Sequence, residues 1–247
     1  MTPRSVLVTG GAAGIGLAIG SSLAALGHRV LLADISDSVH AAAVRLGASV
    51  QGHVADMGDE AQVLGTAKSM TELFGGCDVL VNCAGVSRKR DGQPVPPVEV
   101  QTEDWERVLR INLTAPFLLS RELLPGMRQR RFGRIINIAS RAGRTFVAPA
   151  GVDYAASKAG LIGLTRHLAG SHAADGITVN CIAPGRIETA LSSLSSPEVI
   201  AAAVKAIPVG RLGSTDEVAA AAVFLASEQA SYITGVCLDV NGGVFMA

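Results

Sequence analysis

Short apolar runs rich in β-branched residues alternate along this chain with longer segments of helical period. Ser5–Thr9, His28–Asp34, Ser49–Asp56, Asp78–Asn82, Gly133–Ser140, Ile177–Ala183 and Val236–Val240 each read as a strand. Helical patterns lie between them. One runs from a glycine-rich turn to Leu26 and stops at Gly27. The next covers Asp59 to Phe74 and stops at Gly75-Gly76. A third starts with Thr102 as its N-cap and acids in its first turn, and passes Asn112 to about Arg131. The last two are opened by Tyr154 and capped by Thr215. Strand and helix alternate throughout, with no repeat and no linker. The pattern therefore predicts one α/β domain over residues 1–247, a doubly wound seven-stranded parallel sheet with helices on both faces. The mixed stretch at about 186–209 reads as a lid, and Ser87–Pro97 as a polar, proline-containing surface loop.

In an open sheet of this kind ligands bind outside the carboxyl ends of the strands. Gly10–Gly16, Asp34, Asp56, Asn82–Gly85, Ser140 and Pro184–Gly185 all fall at those ends. The turn Gly10-Gly-Ala-Ala-Gly14-Ile-Gly16 joins a strand to a helix. Such a turn lets the backbone approach a pyrophosphate, which then sits at the positive end of the helix. Asp34 closes the second strand roughly 20 residues on, where a carboxylate accepts from the ribose hydroxyls of the adenosine. It would also repel a 2′-phosphate, and Ala12 and Ala13 offer no cation to attract one, so the turn favours NAD over NADP. The bland alternative is a strand-end Asp that caps the next helix.

Tyr154 and Lys158 stand one helical turn apart, on one face. A nearby ammonium favours the phenolate. Bringing a phenol from a pKa of about 10 to neutrality takes about 4 kcal/mol, within reach of a partly desolvated charge contact. Such a tyrosine exchanges a proton with an alcohol or a ketone.

Composition removes other classes. Apolar residues make up 49% of the chain, and Lys+Arg and Asp+Glu are equal at 21 each. A balanced chain of this kind fits neither a nucleic-acid binder nor a polybasic membrane-surface protein, and no apolar run is long enough to span a bilayer. Cys77, Cys83, Cys181 and Cys237 form no C-x-x-C pair and read as reduced thiols of a cytoplasmic protein. A strand begins almost at Met1, leaving no room for a signal peptide. His28, His40, His53, His167 and His172 show no ligand spacing, so no metal is expected.

Taken together, Thr9-Gly10-x-x-x-Gly14-x-Gly16, Asp56, Asn82-x-Ala84-Gly85, Asn112, Ser140, Tyr154-x-x-x-Lys158, Pro184-Gly185 with Thr189, and Gly242-Gly243 resemble the short-chain dehydrogenase/reductase family over essentially the whole chain. The resemblance implies a Rossmann fold and an NAD-dependent oxidoreductase. Tyr154 would be the acid/base and Ser140 would hold the substrate oxygen. Lys158 would tune the phenol and hold the nicotinamide ribose, and Asn112 would keep a water near the lysine in a proton relay. Gly10, Ala13, Gly14, Ile15 and Gly16 would take the phosphates, and Asp34 with Ile35 the adenosine ribose side. Asp56 and Met57 would meet the adenine, and Asn82, Ala84 and Gly85 would lie along the adenosine. Pro184, Gly185, Ile187 and Thr189 would reach the nicotinamide carboxamide. Cys83, Ala139 and Asn241 depart from the commonest family pattern without removing a reacting group.

The expected substrate is a small-molecule secondary alcohol or ketone of polyol, sugar or hydroxy-acid type. An NADPH-dependent 3-oxoacyl-[acyl-carrier-protein] reductase is the near alternative, and a catalytically silent NAD-binding regulator the distant one. A homotetramer is implied, with no nucleic-acid or membrane partner. Arg88, Arg141, Arg144 and Arg186 either grip an anionic substrate group or make surface ion pairs.

Overall fold

The computed structural model describes residues 3–189 and 197–246. Strands β1 (Ser5–Thr9), β2 (Arg29–Asp34), β3 (Val50–Val54) and β4 (Val79–Asn82) follow the predicted runs closely. Two two-residue strands, β5 (Lys89–Arg90) and β6 (Gln93–Pro94), pair antiparallel in the stretch read as a loop. The hairpin turns at Asp91-Gly92, both at positive φ, a dipeptide that signals such a turn. The main sheet is completed by β7 (Gly133–Ile138), β8 (Ile177–Pro184) and β9 (Cys237–Val240). Its order is β3-β2-β1-β4-β7-β8-β9, with every neighbouring pair parallel. This is the doubly wound sheet of a Rossmann fold. The chain builds outward from β1 to β3, then returns to place β4 on the other side of β1. That reversal opens a crevice at the carboxyl ends of β1 and β4.

Alternate strand residues feed two cores. Val6 and Val8 face one side, with Ile19 and Leu23 of α1 (Gly14–Ala25), Val39 and Ala42 of α2 (Ser38–Leu46), and Val218, Ala222 and Leu225 of the last helix. Leu7 faces the other, with Val63 and Met70 of α3 (Glu60–Phe74) and Leu119, Leu123 and Met127 of the long helix that leads to β7. That helix follows α4 (Thr102–Leu109) through a π-helical turn, Arg110–Thr114, and becomes α5 (Ala115–Arg130). Then come α6 (Val152–His172), α7 (Pro197–Lys205) and α8 (Thr215–Ala226).

Three helix starts fall earlier than the sequence reading placed them. The α4 N-cap is Gln101, whose side chain makes no capping bond, and Thr102 is already helical. The α8 cap is Ser214, in a reciprocal box with Glu217, because that hydroxyl reaches the amide three residues on. Helix α6 opens at Val152, which places Tyr154 within its first turn. Of the segment read as a lid, residues 190–196 lie outside those described. Its start is joined to the chain just beyond it where Ile187 bridges Gly213, and its far part contains α7. Among the described residues no helix is long and apolar enough to cross a membrane.

Candidate active site

The turn after β1 is held by its neighbours. Gly10 has φ +68°, and a Cβ there would stand 2.9 Å from the Ala84 backbone; at Gly16 one would stand 2.1 Å from the Gly10 carbonyl oxygen. Only glycine admits this folding of the turn upon itself and against the end of β4. Thr9 completes the joint: its hydroxyl accepts from the amides of Cys83 and Ala84, both at 3.1 Å. Helix α1 has Ala13 as its N-cap, with no side-chain cap and no acid in its first turn. Its leading amides, including those of Ile15 and Gly16, are left to an anion at the crevice. Across the turn stands Thr189, whose methyl would lie 3.7 Å from a Cβ on Gly14.

Asp34 ends β2 and uses both carboxylate oxygens on backbone, accepting from Ala12 N and Ser36 N at 3.0 Å each. It ties the glycine-rich turn to the residues just after β2 without capping α2, whose N-cap is Asp37, and its negative charge stays beside the crevice. Ile35 is exposed there, 62% accessible. Asp56 accepts from Gly58 N at 2.7 Å and meets Arg107 of α4 at 3.4 Å. Met57 is buried in the core behind it. Asn82 is also buried, donating to Asn137 at 2.8 Å. Ile187 packs its side chain into the core against Gly213. Gly185 lies against Asn241 and donates to Val240 O at 2.9 Å, fixing Pro184-Gly185 to β9.

The second half of the crevice carries the reactive side chains. Ser140 follows β7, accepts from Ala142 N at 3.1 Å and stands beside the Tyr154 phenol, whose ionised form it favours. The short turn after Ser140 rests on α6: a Cβ at Gly143 would fall 2.6 Å from the Lys158 carbonyl carbon, so glycine sets the Ser140-to-Lys158 spacing. Asp153 is buried and accepts from Tyr154 N at 2.7 Å, holding the first turn of α6. Lys158 is buried and donates to Ile138 O at 2.7 Å. Asn112 sits in the π-helical turn with no exposed surface. Its Oδ1 accepts from Val86 N at 2.8 Å, and its Nδ2 donates to Val86 O at 2.9 Å and Ser157 Oγ at 3.0 Å. The extra residue of that turn swings the amide inward, where it clamps the β4 loop to α6.

The electrostatics correct one expectation. Burial pushes the Tyr154 phenol above its ordinary pKa, and Ser140 is what opposes that shift. Lys158 lies 5.7 Å from the centre of the phenol ring, with its ammonium on a backbone carbonyl. Burial depresses its own pKa to about 8. The serine, more than the lysine, favours the phenolate in this state, because both ionisable groups have lost water to a common low-dielectric pocket.

The arginines divide. Arg144 pairs with Asp239, Arg88 with Asp104 and Arg90 with Glu99, so these three are held by carboxylates of the chain itself. Sequence reasoning passed over the roles of Thr9, Asn137, Gly143, Asp153 and Ser157. Thr9 stood inside a quoted motif, but its bond runs to residues 74 and 75 positions away, which no local pattern displays.

A glycine cradle at a switch point, open helix amides and an adjoining Ser-Tyr-Lys cluster define a nicotinamide-dependent oxidoreductase of the Rossmann type. Comparison with known proteins agrees. A family model described as enoyl-(acyl carrier protein) reductase matches residues 10–245. The 3-oxoacyl-[acyl-carrier-protein] reductase FabG of Vibrio cholerae is 40% identical over 244 residues, 98% of each chain. A reductase of the same description from Brucella melitensis, solved with bound NAD, superimposes with a TM-score of 0.92 at 37% identity, covering 99% of this chain and 92% of its own. A putative NAD(P)-dependent gluconate 5-dehydrogenase from Beutenbergia cavernae, solved with NADP at low occupancy, reaches 0.90 at 36% identity, covering 98% and 96%. The chain belongs to the short-chain dehydrogenase/reductase family and is an oxidoreductase that binds a nicotinamide cofactor.

Proposed function

We propose that the protein, acting as a single domain, interconverts a secondary alcohol and a ketone with NAD(H). The gathering of Ser140 and the Tyr154 phenol beside buried Lys158, whose ammonium lies 5.7 Å from the phenol ring centre, carries the reading. When bound, the nicotinamide supplies the hydride acceptor or donor. Ser140 holds the substrate oxygen with its hydroxyl. In reduction Tyr154 donates its phenolic proton to that oxygen; in oxidation the phenolate takes the proton from the alcohol. Lys158 keeps positive charge close to the phenolate, and Asn112 fixes the β4 loop around it and lines the route by which the proton returns to solvent. Asp34, a carboxylate held by backbone amides, disfavours a 2′-phosphate.

The substrate class expected first is a polyol, sugar or hydroxy acid. The alternative, reduction of a 3-oxoacyl thioester with NADPH, is favoured by the FabG relatives at 40% identity. Initial rates with NADH and NADPH, each against a polyol and hydroxy-acid panel and a 3-oxoacyl thioester, separate the two. The proposal expects NADH to be preferred, and a strong NADPH preference with thioester turnover replaces it by the alternative. The same reading carries a cytoplasmic homotetramer, and a 25.2 kDa species in light scattering would refute that assembly.

A further inference from the structure

Four polar side chains stand in one row across the sheet. Asn82 of β4, Asn137 of β7, Cys181 of β8 and Cys237 of β9 are partners in register. Side chains at matched positions of parallel strands point to the same face, here the one covered by α6. The row is hydrogen-bonded at its β4 end. Asn82 donates to Asn137, and Asn137 donates to Thr165 Oγ1 of α6 at 2.9 Å. Beyond it Cys181, whose thiol donates to Val236 O at 3.6 Å, packs against its register partner Cys237. Both thiols are free.

The two cysteines differ. Cys181 is wholly buried, and the adjoining Cys237 sulfur and burial push its thiol up. Cys237 is half-buried, and its contact with Cys181, with Arg144 nearby, holds its thiol below the ordinary value. An accessible low-pKa sulfur beside a second thiol is the arrangement of an oxidisable pair. Cys77 and Cys83 are pushed up to about 12 by burial and lack it.

We propose that Cys181 and Cys237 are a modification site: a dithiol that a hydroperoxide closes into a cross-strand disulfide. The Cys237 thiolate attacks the peroxide oxygen, and the O–O bond breaks. Cys237 becomes a sulfenic acid, and an alcohol, or water from hydrogen peroxide, leaves with one proton. Cys181 then attacks the Cys237 sulfur and expels water. Two thiols and one peroxide thus give one disulfide, one alcohol and one water. The spacing admits the bond. Neighbouring strands lie about 4.7–4.9 Å apart, inside the roughly 4.4–6.8 Å Cα range of disulfides. Their Cβ atoms must close to about 3.5–4.5 Å, which draws β9 toward β8.

That movement has a target. Arg144, four residues beyond Ser140, donates to the Cys237 carbonyl at 3.1 Å and to Asp239 at 2.5 Å, and its guanidinium lies 5.0 Å from the centre of the Phe245 ring. Drawing β9 inward therefore pulls on the turn that carries Ser140, and oxidation lowers turnover.

The full-length protein treated with hydrogen peroxide tests this by peptide mass spectrometry, whether or not its substrate is known. The expected result is a cross-linked Cys181–Cys237 peptide, lighter by two hydrogen atoms, with activity lost in step and restored by dithiothreitol. In Cys181→Ser, dimedone is expected to trap a sulfenic acid at Cys237. In Cys237→Ser, cross-link and inactivation both disappear. No cross-link in the parent protein, or no dimedone adduct at Cys237 in Cys181→Ser, overturns the proposal. A cross-link that leaves activity unchanged overturns its coupling to the catalytic turn.

Discussion

The two halves of the crevice are built from different materials. The dinucleotide half, from β1 to β4, is backbone: a turn at positive φ, helix amides without a side-chain cap, and a Thr9 hydroxyl that binds two loop amides. The reacting half, from β7 to β9, is side chain: a phenol, a hydroxyl and an ammonium held by carbonyls and by one another. A backbone site is rigid and tolerates almost no added atom. A side-chain site is tuned by burial, because each group there has a charge or proton to lose. Substitutions are therefore expected to separate binding from turnover cleanly.

The sharpest break is Tyr154→Phe. It is expected to lower kcat by about 10²–10⁴-fold while cofactor affinity, read by nucleotide fluorescence, stays unchanged. A matching loss of affinity would erase the distinction between the halves. Gly16→Ala works on the other side. Its Cβ would collide with the Gly10 carbonyl, and overpacking of about 1–3 kcal/mol weakens cofactor binding by roughly 5- to 150-fold, with kcat at saturation retained. Asp34→Ala is expected to move the NADH-to-NADPH ratio of kcat/KM toward NADPH by roughly tenfold, since several kcal/mol of repulsion is offset by solvent at this half-buried position.

The smallest effect is a pair of opposed pH slopes at Lys158. Its folded pKa, about 8, lies below the ordinary 10.5, so the unfolded chain binds the proton more tightly in that window. Stability of the cofactor-free protein therefore rises as pH goes from about 8 toward 10.5. Activity falls over the same rise, because the ammonium beside the phenol is lost. Thermal melts and rates across that range check both signs, and Lys158→Met is expected to flatten the stability slope.

The sequence carried the frame of this molecule because strand runs, glycine turns and the Tyr154/Lys158 spacing are local patterns. The seven main strands stand within about two residues of where the apolar runs put them, an ordinary margin for element ends. What escaped was set by tertiary contact. Ser214 displaced Thr215 as a cap because only its hydroxyl meets the Glu217 amide. The hairpin at Lys89–Arg90 and Gln93–Pro94 is too short for periodicity to register. Tyr154 was expected to be acidified by Lys158, but burial raises the phenol and depresses the lysine together, and burial is not written in a spacing of four. Asn112 was read as part of one continuous helix, and the π-helical turn at Arg110–Thr114 that sets its side chain is a local widening no periodicity shows.

The strand order also sets a timetable for synthesis. β4 must dock beside β1 before the Thr9 hydroxyl meets its two amides, so a nascent chain has no finished phosphate cradle until residues 82–84 have left the ribosome. β9 docks last, and with it come the carbonyl and carboxylate that grip Arg144. A ribosome-bound chain stalled shortly before residue 237 would already own a nucleotide seat while Arg144, beside the catalytic turn, still lacked its partners.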